Sequence, residues 1–328
     1  MNLRSILSGI LLAGLLSGPG WSQESGTPVA VISLVWGVVT VKHADADYKP
    51  ARWLEPIFPG DFVKTSGPGS KLLITFFNDN HQEVVSENVE ASVATDRVTA
   101  PKGQVRRDKA RNPFGAGGVD SPFVYTHKLV AADFAKAEVA GAYDVEERSL
   151  KASIKSHFPP DFGWPSQAGA SNYELQVNAP SLAFSWSKTL KANRYSMTQR
   201  EAGGLSKGSN YTWQVSADGN PVVLPYPFKC LSLPQAKWLE EESTTFSGKR
   251  ARKQLQRSDY TDYLLVCSQL TRVDEAYSLC REMAGMDSQN PRVFRALTRV
   301  FLLRGCPAHA KEAHDNELKL GGYDPVGL

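Results

Sequence analysis

Apolar residues change their spacing along the chain, and the changes divide it into zones. Residues 27–100 alternate in the manner of strands. Val29 to Val41 is a β-branched run that ends in a polar turn, Lys71 to Phe77 is a second run, and Gln82 to Thr95 resumes a short polar–apolar alternation. Between them, Asn78-Asp79-Asn80-His81 is a turn cluster, because Asn and Asp tolerate a left-handed backbone and bond their own chain. A small antiparallel sandwich or roll is expected.

Residues 101–120 lose this pattern and become basic and glycine-rich, with Lys102, Arg106, Arg107, Lys109 and Arg111 ahead of Gly115, Gly117 and Gly118. So few apolar side chains predict a linker. Residues 121–232 return to period two in their latter half: Leu182, Phe184 and Trp186 share one face, Arg194 to Thr198 is the next strand, and Tyr211, Trp213 and Val215 share another face. The first half, 121–178, is less legible. Lys128 to Tyr143 fits one helix or two strands, and His157 to Pro165 reads as an aromatic, proline-rich loop.

The final zone, 234–322, is helical and repeats. Ala276 and Ala310 lie 34 residues apart, and at that offset Tyr260 pairs with Phe294, Tyr263 with Leu297, Cys267 with Phe301 and Thr271 with Gly305. Thirty-four is the tetratricopeptide spacing, in which a small residue lets two antiparallel helices approach closely. Two repeats are few for a continuous core, so a helix around Pro234–Ser243, with or without Lys249–Gln256, is expected to cap the array, or the array to dock on the sandwich. The predicted fold class is therefore multidomain β plus α: an all-β domain, an immunoglobulin-like sandwich and helical repeat hairpins.

Composition refines this picture little. At 41% hydrophobic and 22% charged residues the chain is an ordinary globular one, and a net charge of +3 is too small for a nucleic-acid partner. The first 22 residues change more. Arg4 precedes an uncharged apolar run from Ile6 to Leu16, and small residues stand before a cut after Ser22. That run suits a secretory signal and is too short to span a bilayer. A periplasmic or secreted protein that does not span the membrane is expected.

Three resemblances follow from these residues. The segments Gly37-Val38-Val39-Thr40-Val41, Pro59-Gly60-Asp61-Phe62-Val63-Lys64-Thr65 and Ser70-Lys71-Leu72-Leu73-Ile74-Thr75-Phe76 resemble the FecR-like domain of bacterial envelope proteins, with Asp79-Asn80 in place of the usual Asp-Gly turn. The middle region resembles a fibronectin type III or other immunoglobulin-like sandwich, Leu205 to Tyr211 being similar to a tyrosine corner. The tail resembles tetratricopeptide repeats. In FecR regulators a cytoplasmic segment and a membrane anchor precede the domain; a cleavable signal stands there in this chain.

Reactive chemistry is sparse. The six histidines are scattered, and His309 and His314 are five apart, off the i, i+4 face that zinc uses. His43, Asp45 and Asp47 read as a solvated hairpin tip rather than a cation site, since calcium needs six to eight oxygens. No nucleophile elbow, Walker loop or dinucleotide fingerprint occurs. No metal, cofactor or catalytic residue is assigned. Of the four cysteines, Cys267 and Cys280 fall on adjoining helices and are the disulfide pair that export would favour; buried free thiols are the competing reading. Two basic runs, 102–111 and 249–257, are either solvated faces or contacts for anionic lipid or polymer.

Two sets of binding residues are nominated. Phe158, Phe162 and Trp164 sit in the proline-rich loop, where aromatics anchor partners when they reach the surface. Tyr260, Tyr263, Phe294 and Phe301 would support a helical groove for an extended peptide or partner helix. The expected function is a non-enzymatic binding or scaffold protein that assembles envelope proteins. The alternatives are a periplasmic regulatory partner in FecR-type signalling and a module that binds cell-wall glycan.

Overall fold

The computed structural model describes residues 27–44, 46–109, 142–179 and 184–322. The expected signal segment lies outside them, as do Asp45, Leu182 and residues 110–141. Among the described residues no helix is long and apolar enough to cross a membrane.

The β-branched run at the start becomes one long strand, β1 (Ala30–Lys42), paired antiparallel along most of its length with β4 (Phe62–Phe76). Short strands complete the sheet: β2 (Lys49–Pro50), β3 (Pro56–Ile57), β5 (Gln82–Val85), β6 (Glu90–Val93), β7 (Val98–Thr99) and β8 (Val105–Arg107), with the path β2-β1-β4-β5-β8. One face buries Ile32, Ile57, Val63, Leu72, Ile74, Phe76 and Val85. The ladder shifts register at Gly37, whose φ is +68° and where a Cβ would lie 2.5 Å from Ser70 Oγ. Only glycine fits that bulge. At the Pro59-Gly60 turn, Asp61 accepts a hydrogen bond from the Phe58 amide at 2.7 Å.

β8 corrects the expected linker. Val105 pairs with Val85 and Arg107 with Glu83, so part of the 101–120 stretch is an edge strand. The edge of β5 offers unpaired backbone groups, and satisfying them outweighs the poor hydrophobicity of this segment. Its arginines suit an exposed edge, and Arg107 lies 3.8 Å from Asp79 and 3.9 Å from Glu83.

The middle region opens with helix α1 (Ala142–Ser149). Two antiparallel sheets follow. One runs β13 (Arg194–Ser196), β10 (Asp161–Gly163), β9 (Ser153–Lys155); the other runs β12 (Ser185–Leu190), β11 (Tyr173–Asn178), β14 (Asn210–Ala217), β15 (Asn220–Lys229). Phe162 from the first sheet meets Trp213 and Phe228 of the second, with ring centroids 5.1 and 5.8 Å apart. The sandwich thus starts well before Pro180, where sequence periodicity first exposes it. Its early strands are only three residues long and are flanked by prolines, which hides their period. Tyr211 accepts a hydrogen bond from the Ser206 amide at 2.7 Å, tying the entry of β14 to the loop before it.

Five helices complete the chain: α2 (Leu233–Ala251), α3 (Arg257–Gln269), α4 (Val273–Met286), α5 (Pro291–Leu303) and α6 (Pro307–Lys319). A reciprocal Ser232–Gln235 capping box opens α2, which runs on past the expected Pro234–Ser243 helix to Ala251. The repeat is visible in the backbone. First residues of α3 and α5 are 34 positions apart, as are those of α4 and α6. Thr271 and Gly305 occupy the same turn with φ of 53° and 68°, followed by equivalent bonds from Arg272 N to Cys267 O and from Cys306 N to Phe301 O.

These regions share packing. Sandwich and helices contribute to one apolar cluster, joined by Val31, Trp53, Leu54 and Phe77 from the first sheet. Trp53 donates its indole N–H to Thr261 Oγ1 at 2.8 Å, and its carbonyl accepts from Asn290 Nδ2 at 3.1 Å. Gln82 donates to Asp262 at 2.8 Å, and Gln269 to Asn80 at 3.0 Å. The outer side of α3 is thereby covered by the N-terminal sheet.

Candidate functional site

Both nominated aromatic sets turn inward. Phe162 and Trp164 are buried, and Trp164 packs edge-on against Tyr173 at 5.8 Å. The proline-rich segment is not a free loop: β10 forms between the prolines, and period two sends Phe162 into the core. Phe158 is half-buried, with Lys207 Nζ 4.7 Å above its ring. On the helices, Tyr260, Tyr263 and Phe301 are buried and Phe294 is half-buried. Phe246 of α2 stacks on Tyr263 at 4.8 Å and meets Tyr260 edge-on at 5.3 Å. Phe301 packs against Tyr277 and His309. The expected groove is therefore filled from two sides, by α2 and by the N-terminal sheet.

Cys267 and Cys280 are not joined: all four cysteines are free and buried. Burial pushes the Cys280 and Cys306 thiols up to about 12 and Cys230 to about 11. Such thiols behave as small hydrophobic groups, not nucleophiles.

The titratable groups form pairs that hold the fold. His43 bonds Asp61 at 2.7 Å and faces Glu55 at 3.4 Å. Burial alone would lower its pKa, yet the hydrogen bonds to Asp61 and Glu55 raise it to about 9. Arg304, 1% exposed, donates to Asp274 at 2.7 Å and to the carbonyls of Ser149 and Ala152 at 2.7 and 3.1 Å. Glu146 accepts the Ala308 and His309 amides, each at 3.0 Å, so α1 caps the start of α6. On the sandwich surface Glu201 gathers Lys188, Tyr195 and Thr198, which holds its carboxyl down at about 2. The second basic run is spent similarly: Lys249 pairs with Asp259, and Arg250 with Glu282 at 2.6 Å. Among the described residues no three His, Cys, Asp or Glu side chains converge as a metal cluster.

No known family model matches the chain, and no curated protein is detectably similar to it.

Two surface features remain. On the N-terminal sheet, Trp36 and Val38 flank the Gly37 bulge at 40% and 63% exposure, and Phe62 is 39% exposed on the same sheet. On the sandwich, a trough of about 440 Å³ crosses the outward face of β9, β10 and β13. Its lining includes Lys151, Ser153, Lys155, Asp161, Asn193 and Arg194. The trough exists because Gly163, on the central strand, sits between Ser153 and Arg194 and offers no side chain to fill the space. Sequence reading overlooked it, although the signal was present: Lys151, Ser153, Lys155 and His157 are exposed while Ala152, Ile154 and Ser156 between them are buried.

Proposed function

We propose that this protein is an exported, non-enzymatic binding or scaffold protein of the bacterial cell envelope that docks other envelope proteins. The observation that carries this reading is the outward pair Trp36 and Val38, set at a bulge that only glycine permits. A tryptophan held at the surface by a rigid strand is the kind of anchor that dominates protein interfaces.

The finer fold assignments support the same reading. The long β1–β4 ladder with its Pro59-Gly60 turn agrees with a FecR-like domain. Sheets of three and four strands, with the Tyr211 phenol pinned to the Ser206 amide, agree with a fibronectin type III-like sandwich. Two helical hairpins at a 34-residue offset agree with tetratricopeptide-like repeats. The helical groove is not proposed as the docking site, because the molecule's own N-terminal sheet and α2 occupy it.

The test is a photo-crosslinking amino acid placed at Val38 and, as a control, at Lys311 on α6, followed by mass spectrometry of the envelope fraction. A discrete protein crosslinked from position 38 alone, and lost when Trp36→Ser is added to a folded chain, is the expected result. Identical products from both positions would sink the proposal.

A further inference from the structure

We propose that the open half of the outward face of the β1–β4 ladder receives an acidic amphipathic helix of another protein, laid on the same face as α3 with a carboxylate against Lys71. The inference rests on the docking reading above and names the occupant of the same Trp36–Val38 site.

Strand alternation places Val31, Leu34, Trp36 and Val38 on this face, because Ile32, Val35 and Val39 pack on the opposite one. Their partners across the ladder are Thr75, Leu73, Lys71 and Ser66. The face is covered at one end. Val31 belongs to the apolar cluster shared with the helices, and Thr75 donates to Asp262 of α3 at 3.4 Å. Exposure then climbs along the ladder, from 9% at Leu34 and 7% at Leu73 to 40% at Trp36 and 63% at Val38. One continuous surface thus begins under a helix of this chain and runs out uncovered.

A strand cannot add to this patch, because it is the flat of the sheet and β1 is paired with β4 on both sides of the bulge. A helix can, as α3 does on the same face, where its Asp262 accepts from Gln82 at 2.8 Å. The open half is also basic. Lys71 stands directly across from Trp36, with Cβ atoms about 5 Å apart, and Lys64 and Lys42 follow on the same face. Glu90, opposite Lys64, already pairs with it at 3.4 Å. Lys71 is exposed and makes no ion pair among the described residues. A helix with a carboxylate for Lys71, and apolar residues one turn away for Trp36 and Val38, satisfies both the charge and the apolar surface.

The test treats the envelope fraction of cells producing the full chain with a carbodiimide, which couples a lysine amine to a touching carboxylate, and maps the products by mass spectrometry. The expected product joins Lys71 to an Asp or Glu of a second protein, in a segment whose apolar residues recur every three or four positions. Lys71→Arg keeps the charge but cannot couple, so this product should vanish while photo-crosslinking from position 38 persists. Lys71→Glu should lower photo-crosslinking from position 38 roughly tenfold or more with an unchanged thermal midpoint, because the side chain is exposed. Undiminished photo-crosslinking in Lys71→Glu, no Lys71 product, or a linked segment with strand-like alternation overturns the acidic helix and leaves protein docking standing. A second copy of this chain in the product assigns the face to self-association and overturns the inference as well. Lipid alone, or no product at all, from position 38 removes the docking reading together with it.

Discussion

Trp53 and Thr261 are 208 positions apart in sequence and share a buried hydrogen bond of 2.8 Å from indole to hydroxyl. Around it, Arg257 lies over the Trp53 ring at 5.1 Å and Asn290 bonds the Trp53 carbonyl. This is the joint between the N-terminal sheet and the helical array. Trp53→Phe should cost about 1 kcal/mol, the net worth of one buried hydrogen bond. Trp53→Ala should cost about 3–5 kcal/mol and expose the face of α3 to protease. Urea titration with limited proteolysis measures both; an unchanged midpoint in Trp53→Ala would show that the joint carries no stability.

Arg304 ties α5 to α4 through Asp274 and to the sandwich through the Ser149 and Ala152 carbonyls. Its removal leaves Asp274 buried beside groups it cannot neutralise. Arg304→Met should therefore destabilise the chain by about 3–5 kcal/mol. Adding Asp274→Asn should recover part of that loss, since Asn still accepts the bond that Ile154 N now gives Asp274 at 2.8 Å. Additive costs in the double-mutant cycle would contradict this coupling.

His43 supplies a pH dependence with a definite sign. Its folded pKa of about 9 exceeds the ordinary imidazole value of 6.5, so the imidazolium pairs with Asp61 and Glu55. The stabilisation is complete below the lower value and is lost as pH rises toward the upper one. The urea midpoint should fall between pH 6.5 and pH 9, and His43→Gln should flatten that fall. His81 and His309 are shifted upward as well, so the variant keeps a residual slope. Parallel curves for the two proteins would remove His43 from the explanation.

The two helical turns at Thr271 and Gly305 predict opposite substitutions. Thr271 holds φ at 53°, a conformation costly for a β-branched side chain, so Thr271→Gly should stabilise by about 1 kcal/mol. Gly305→Ala should destabilise by about 1–2 kcal/mol or more, because the added Cβ would lie 3.0 Å from the Pro225 carbonyl oxygen as well as at positive φ. Thermal unfolding of both variants checks the pair.

The thiols should be silent in the native state. With Cys230, Cys267, Cys280 and Cys306 buried and their pKa values raised by burial, a thiol reagent at pH 8 should label none of the four until denaturant is added. Rapid labelling of Cys267 or Cys280 in the folded chain would contradict the packing described.

Much of the secondary structure was legible because its cause is local. Val29 to Val41 follows from its β-branched run, the Tyr211–Val215 face from period two, and the helical repeat from the Ala276–Ala310 offset. The short strands β9 and β10 were harder, since three residues carry barely one full alternation and Pro159, Pro160 and Pro165 argue for a loop. The candidate trough was missed for a related reason. The exposed row Lys151, Ser153, Lys155 was readable, but its meeting with Arg194 depends on Gly163, which pairs with Ser153 on one side and with Arg194, 31 residues beyond it, on the other.

By itself, then, the sequence determined the long strand at Val29–Val41, the Tyr211–Val215 face and the 34-residue offset of the helices, because each depends on neighbours within a few residues or turns. The tertiary structure alone decided what those elements face. It turned Phe162, Trp164 and Tyr263 into core, left Cys267 and Cys280 unbonded, and closed the helical groove with the N-terminal sheet. The physical reason is that burial is a contest among all apolar surfaces of the chain for the same partners, and its outcome is set by contacts between residues far apart in sequence.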